Sequence, residues 1–142
     1  MKKLVLLVAL TICTLNVAAQ ERLYWSALEG ISFEEVYDEP TATWVQVPKW
    51  TSQQRQDWGG TSVVVTGYAI VLDPVDHVYA LSAFPFSSCF FCGAAGPESV
   101  MEIQFDSPQE LLTDDVITVI GQIKLNSTPE NLPITLEHAR LK

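Results

Sequence analysis

The chain has 142 residues, of which 48% are hydrophobic, and its formal net charge is −9. An acidic surface repels phosphate backbones and anionic lipid headgroups, so this charge argues against binding of nucleic acid or of a membrane surface. No segment after residue 19 approaches the roughly 20 apolar residues that a membrane-spanning helix needs. We therefore expect no membrane insertion of that part.

Residues 1–19 have the pattern of a secretory signal peptide. Two lysines precede an unbroken apolar run over residues 4–10, and small residues at 17–19 match the site that a signal peptidase reads. We predict cleavage before Gln20 and export to the periplasm or the medium of a bacterium. The remainder, residues 20–142, has a length that fits one domain with a real core.

The clearest predicted elements after the leader are β-strands rich in β-branched residues and separated by turn signals. Residues 21–36 could begin with a short helix and turn extended at residues 31–33. Residues 43–47 have β-strand character, and residues 48–60 form a loop or a frayed helix. The stronger strands follow, at residues 61–72, 78–83, 99–105, 116–125 and 134–141.

Two of these strands contain a central glycine, Gly67 in one and Gly121 in the other. A glycine inside a strand often marks a bulge or a sharp bend, and bent strands are what a small closed barrel requires. We therefore predict a mainly β fold, a small Greek-key barrel of about five strands that resembles the oligonucleotide-binding (OB) barrel. A β-sandwich is the alternative.

The segment that could carry chemistry is residues 81–97. It contains four phenylalanines within eight residues and a Cys-x-x-Cys pair, Cys89 and Cys92. These are the two cysteines left once the leader is removed. In an oxidising compartment they could form a disulfide that staples the loop, or they could remain two free buried thiols.

Two further interpretations of the pair remain open. Two thiolates are half of a tetrahedral zinc site and also suit copper(I), and His77 and His138 would complete a Cys2His2 set. The pair could instead perform thiol–disulfide exchange, although the glycines and the proline that follow Cys92 are poor material for the helix that usually stabilises such a thiolate. The sequence has no Gly-x-Ser-x-Gly, no His-Glu-x-x-His and no phosphate-binding glycine loop, so it gives no positive indication of an enzyme.

The pieces at residues 67–70, 81–85, 89–93 and 95–98 resemble an uncharacterised family of small exported bacterial proteins, a domain of unknown function. The resemblance covers about residues 20–142. Related sequences have Cys-x-His at the corresponding loop, and some lie beside zinc-responsive transport genes. The resemblance implies a periplasmic accessory role in metal handling.

The sequence thus predicts an exported accessory or binding protein whose cysteine segment binds a metal, zinc or copper, or a protein partner. A periplasmic thiol–disulfide oxidoreductase, or a disulfide with a structural role only, is the alternative. The absence of a lysine, arginine or histidine next to the cysteines favours binding over redox catalysis, because no cation lowers the pKa of the thiols.

Overall fold

The computed structural model describes residues 20–142, so the predicted signal peptide lies outside the described residues. One short α-helix and eight strands follow one another along this part of the chain. They are β1 (Glu21–Arg22), β2 (Ser32–Asp38), β3 (Thr43–Lys49), α1 (Ser52–Trp58), β4 (Ser62–Asp73), β5 (Val78–Ser82), β6 (Val100–Phe105), β7 (Val116–Leu125) and β8 (Ile134–Leu141).

Five of the strands close into a barrel in the order β4, β5, β6, β8, β7 and back to β4. The β6–β8 pair is parallel, whereas the other four pairs around the barrel are antiparallel. β1 is an extra strand, parallel to β4. The prediction of a small OB-like barrel is confirmed, and the β-sandwich is not the architecture of the chain.

The two strand glycines lie where the barrel needs unusual geometry. β4 pairs with β7 in its first half and with β5 in its second half, and Tyr68, next to Gly67, belongs to both pairings. A Cβ at Gly67 would lie 2.5 Å from the carbonyl oxygen of Ser82. At Gly121 the register between β7 and β8 shifts, which marks a bulge. Neither glycine has a positive φ, so close packing, severe at Gly67 and milder at Gly121, is what opposes a side chain.

Apolar residues at every second position of the strands fill the barrel, and tryptophans from the N-terminal region pack against them. Trp25 donates from Nε1 to the carbonyl oxygen of Thr66 at 2.8 Å, and Trp50 donates to that of Asn126. The largest interior cluster consists of Leu23, Leu28, Ile31, Trp50, Val63, Val65, Tyr79, Leu81, Met101, Ile103, Val119, Ile123, Ile134, Leu136 and Ala139. Burial of this apolar surface holds the barrel together.

The region before the barrel differs from the sequence-based expectation. β2 and β3 form a separate antiparallel hairpin, whose second strand was predicted and whose first strand was anticipated only at its start, residues 31–33. The expected N-terminal helix is a single 3-10 turn at Trp25–Ala27, whereas α1 forms within the predicted loop or frayed helix and is capped by Thr51. Among the described residues, no helix has the length and apolar character that crossing a membrane requires.

Candidate functional site

The cysteine loop, residues 83–99, joins β5 to β6 and has a defined shape. It consists of three single 3-10 turns, Phe86–Ser88, Phe90–Cys92 and Pro97–Ser99. Its two ends are joined because the amide of Ala83 donates to the carbonyl oxygen of Ser99 at 2.9 Å. Near its start, the amide of Phe86 donates to the Asp114 carboxylate at 2.7 Å. The loop is therefore fixed at both ends and at one point between them.

The two thiols of this loop differ in exposure. Both cysteines are free, and Cys89 is fully buried whereas Cys92 is exposed. The Cys92 thiol donates to the carbonyl oxygen of Phe86 at 2.9 Å, and its backbone amide donates to the carbonyl oxygen of Cys89 at 3.2 Å. The structure therefore places the two predicted residues side by side, with one thiol inside the loop and one at its surface.

The surroundings of Cys92 favour its protonated thiol over the thiolate. Desolvation raises the pKa of the Cys92 thiol above its usual value, and the neighbouring Cys89 sulfur adds to this through its charge and a hydrogen bond. Gly93 has a left-handed conformation, with φ of 71°, so no helix begins after Cys92 to stabilise an anion. No lysine, arginine or histidine occurs between residues 78 and 123. These features disfavour a role as an attacking nucleophile.

The two histidines of the predicted Cys2His2 set make other contacts. His77 lies in the β4–β5 turn with its Nδ1 3.2 Å from the Tyr79 hydroxyl. His138 lies on β8 with its Nδ1 3.1 Å from the Asp106 carboxylate. In the part of the chain that the structure describes, no three His, Cys, Asp or Glu side chains come together as a metal site. The structure thus brings Cys89 and Cys92 together but does not bring the histidines to them.

A small apolar cluster on the outer face of the barrel lies beneath the cysteine loop. Ile70, Ala80 and Val100 alternate with the interior residues of their strands and are almost fully buried, although they point out of the barrel. Phe90 covers them from the cysteine loop, and Leu132 covers them from the β7–β8 loop, residues 126–133. We call these three residues the outer-face cluster.

A groove of about 630 Å³ lies beside this cluster, and we call it the outer groove. Its walls come from the cysteine loop, the β7–β8 loop and the β2–β3 hairpin, over strands β5 and β6. Nine of its lining residues are apolar, and these are Val45, Leu72, Val78, Phe90, Phe91, Pro97, Pro129, Leu132 and Pro133. The volume is in the range of ligand-binding clefts, and the apolar lining is typical of them.

The polar part of the outer groove is acidic. Its four polar lining residues are Gln46, Glu102, Glu130 and Asn131, and the lining contains no lysine, arginine or histidine. Glu102 lies on β6 opposite Ala80, so its carboxylate belongs to the floor, whereas Glu130 lies in the β7–β8 loop at the rim. An apolar ligand that carries a positive charge would complement both features.

Sequence reasoning found the cysteine loop but missed the outer groove. The groove is built from three segments that are far apart in the chain, around Val45, Phe90 and Leu132. The excess of phenylalanine in the cysteine loop was one usable signal, because exposed loops rarely carry so many rings. A second signal was the pair of prolines in the β7–β8 loop, Pro129 and Pro133.

Comparison of the chain with models of protein families, with curated proteins and with solved structures finds no match.

Proposed function

We propose that the chain is an exported binding protein whose outer groove holds an apolar ligand and whose cysteine loop forms one wall of the groove. The observation that carries the proposal is the groove itself. A continuous apolar cleft of about 630 Å³ stays open to solvent on a barrel whose interior is filled by side chains. Open apolar surface costs free energy in water, so a retained cleft of this size favours a binding role.

The composition of the groove supports binding over catalysis. Its lining has no serine, threonine, cysteine, histidine or lysine, and its two carboxylates are its only ionisable groups. A nucleophile with an adjacent base, the arrangement that covalent catalysis needs, is absent from this lining. The residues instead supply contact area with a few polar atoms for orientation.

The position of the groove on the barrel gives independent support. OB barrels bind their ligands on the face of the second and third strands, between the loops that follow the first and fourth strands. The corresponding strands here are β5 and β6, and the outer groove lies over them beside Leu72 and the β7–β8 loop. The net charge of −9 argues against an oligonucleotide as the ligand of this face. An apolar ligand fits the lining of the groove better.

Binding of a neutral apolar dye, N-phenyl-1-naphthylamine, tests this proposal on protein purified from the exported fraction. The dye should become fluorescent in the parent protein, and Leu72→Glu should weaken its binding about tenfold or more, because a carboxylate would enter the apolar wall. Leu112→Glu is the matched control, since Leu112 is 74% exposed and lies outside the outer groove. Equal dye binding by all three proteins, or none by the parent, would refute the groove as a ligand site.

A second candidate function is metal handling by Cys89 and Cys92. The observation that favours it is the adjacency of the two thiols in a loop that is fixed at both ends and at one point between them. With only two cysteines gathered, the donor set fits a soft monovalent ion such as copper(I) better than zinc, which prefers four ligands. Metal binding would displace both thiol protons.

Copper(I) titration against a chromogenic chelator, in the absence of oxygen, tests the second candidate. One ion per chain should bind, and Cys89→Ser and Cys92→Ser should each remove it. The double variant His77→Ala, His138→Ala serves as the control and should retain it. In a parallel zinc titration, binding of one ion that requires both histidines would instead support the four-ligand prediction. No binding in either titration would refute the candidate.

A further inference from the structure

The outer groove runs beside a strand edge that has no partner in residues 20–142. β3 pairs with β2 alone, and among the described residues no backbone hydrogen bond from residues 43–49 reaches another element. Val45 and Gln46, in the middle of this strand, line the groove. An unpaired strand edge presents a row of amides and carbonyls that can accept another strand.

Pro48 indicates which residues of β3 direct their backbone groups toward that open edge. In an antiparallel pair, successive residues point their amides alternately toward the partner strand and away from it. A proline has no amide and fits where the backbone faces away from the partner. Pro48 is paired with Phe33 and Gln46 with Glu35, two residues further along. Gln46 and Trp44 therefore direct their backbone groups away from β2.

The charge around this edge favours a basic partner. The one basic residue of β3, Lys49, lies at the end of the strand and forms an ion pair with Glu34 at 3.3 Å. Glu102 and Glu130 line the groove, and the stretch from residue 78 to residue 123, which contains the cysteine loop and β6, has no basic residue. On the hairpin, Glu35 stands directly opposite Gln46. A bound segment that carries lysine or arginine would gain from these carboxylates, whereas an acidic one would be repelled.

We propose that the outer groove binds an extended, basic and apolar segment of a partner protein, which adds to β3 as a third strand. The inference rests on the proposed function and names its ligand. Main-chain hydrogen bonds to the edge at Trp44 and Gln46 supply affinity that is independent of sequence. The apolar floor and the two groove carboxylates supply the preference for particular side chains.

The dimensions and side-chain chemistry of the groove fit such a segment. A strand rises about 3.3 Å per residue, so a segment of about five residues covers most of β3, which has seven residues. Its apolar side chains would pack on Leu72, Val78 and Phe91. The aliphatic stem of a lysine or arginine would pack on the same apolar surface and place its charged head at Glu102 or Glu130.

Three labelled seven-residue peptides test the inference by fluorescence anisotropy against protein from the exported fraction. Valine alternates with lysine in the first, with serine in the second and with glutamate in the third. The lysine peptide should bind at least tenfold more tightly than the glutamate peptide, and added salt should weaken its binding. Glu102→Gln combined with Glu130→Gln should weaken it about threefold to tenfold, whereas Glu110→Gln, at an exposed site outside the groove, should leave it unchanged.

The strand-edge part of the inference has its own variants. Gln46→Pro removes one outward amide and should weaken the lysine peptide about tenfold, whereas Gln46→Ala keeps the amide and should change affinity by less than about twofold. If Gln46→Pro fails to fold, lysine peptides that are N-methylated on alternate residues replace it. One of the two methylation patterns should abolish binding and the other should not.

Dye binding and peptide binding, measured together, distinguish failure of this inference from failure of the proposed function. Dye binding that Leu72→Glu disrupts, together with no binding of any peptide, would overturn the inference and leave the groove as a ligand site. Equal affinity for lysine and glutamate peptides would overturn the charge preference. Affinity that survives both Gln46→Pro and both methylation patterns would overturn strand addition. Absence of both dye and peptide binding would overturn the inference and the proposed function together.

Discussion

Phe90 and Leu132 cover the same outer-face cluster from two different loops of the chain. Phe90 reaches it from the cysteine loop and Leu132 from the β7–β8 loop, and both side chains also line the outer groove. The groove and the outer-face cluster therefore share two residues. Any change that loosens either loop should alter the stability of the domain and the shape of the groove together.

The first prediction follows from this shared position. Phe90→Ala should lower the free energy of unfolding by about 2 kcal/mol, less than a fully buried phenylalanine would cost, because the ring is half-buried. It should also weaken dye binding in the outer groove. Urea unfolding measures the first effect, and Phe84→Ala, at an exposed position outside the groove, is the control with an expected change within about 0.5 kcal/mol. Equal losses in the two variants would contradict the role of Phe90.

The barrel strands were predictable because each carries its own local signal. In β7 the residues Val116 to Leu125 alternate around a central glycine, and the strand begins and ends where the sequence predicts. The outer groove was not predictable, because its walls are distant in sequence and its floor is the outer face of a sheet. β2 was anticipated only at its start, where residues 31–33 were expected to be extended. Further along, its alternation places Glu35 and Tyr37 on one face, which is not a clear apolar pattern.

The two strand glycines should differ in what they tolerate. Gly67→Val should cost about 3 kcal/mol, because its Cβ would lie 2.5 Å from a backbone carbonyl oxygen. Gly121→Val should cost about 1–2 kcal/mol, because its nearest neighbour, the Cβ of Leu136, is 3.1 Å away. Thermal melts measure both, and Gly30→Val is the control because nothing lies within 4 Å of its Cβ. Melting temperatures that match the parent would contradict the close packing at the bends.

The signal-peptide prediction is tested by expressing the full chain in a bacterium. The exported protein should begin at Gln20, because residues 17–19 are the small residues that a signal peptidase reads. N-terminal sequencing of the periplasmic or secreted fraction gives the answer. Replacement of Ala19 by a bulky residue is the control and should retain the precursor. A chain in that fraction that still begins at Met1 would refute the prediction.

The barrel should show no useful affinity for nucleic acid, despite its OB-like architecture. The chain after residue 19 has only six basic residues against seventeen acidic ones, so few phosphates can be neutralised. A gel-shift experiment with single-stranded DNA at low salt should show no complex at micromolar protein. A complex that dissolves with added salt would show that the charge argument fails.

The last prediction concerns the chemistry of the two thiols in the reduced protein. Cys92 is exposed and Cys89 is fully buried, so an aromatic disulfide reagent should modify one thiol in the folded chain and two in the unfolded chain.

The pKa of the Cys92 thiol lies above its usual value of 9.0, chiefly through desolvation. A raised pKa means less thiolate at neutral pH, so reaction at pH 7 should be slower than that of a free cysteine, and its rate should rise with pH until it passes the raised pKa. Cys92→Ser should abolish the reaction of the folded chain, whereas Cys89→Ser should preserve it but lower the free energy of unfolding by about 1–3 kcal/mol, because a hydroxyl would replace a buried thiol. A rate that is already maximal at pH 7 would overturn the argument from desolvation and favour an oxidoreductase. A protein that arrives from the exported fraction with no titratable thiol, and whose mass rises by about two daltons on reduction, would establish the disulfide instead.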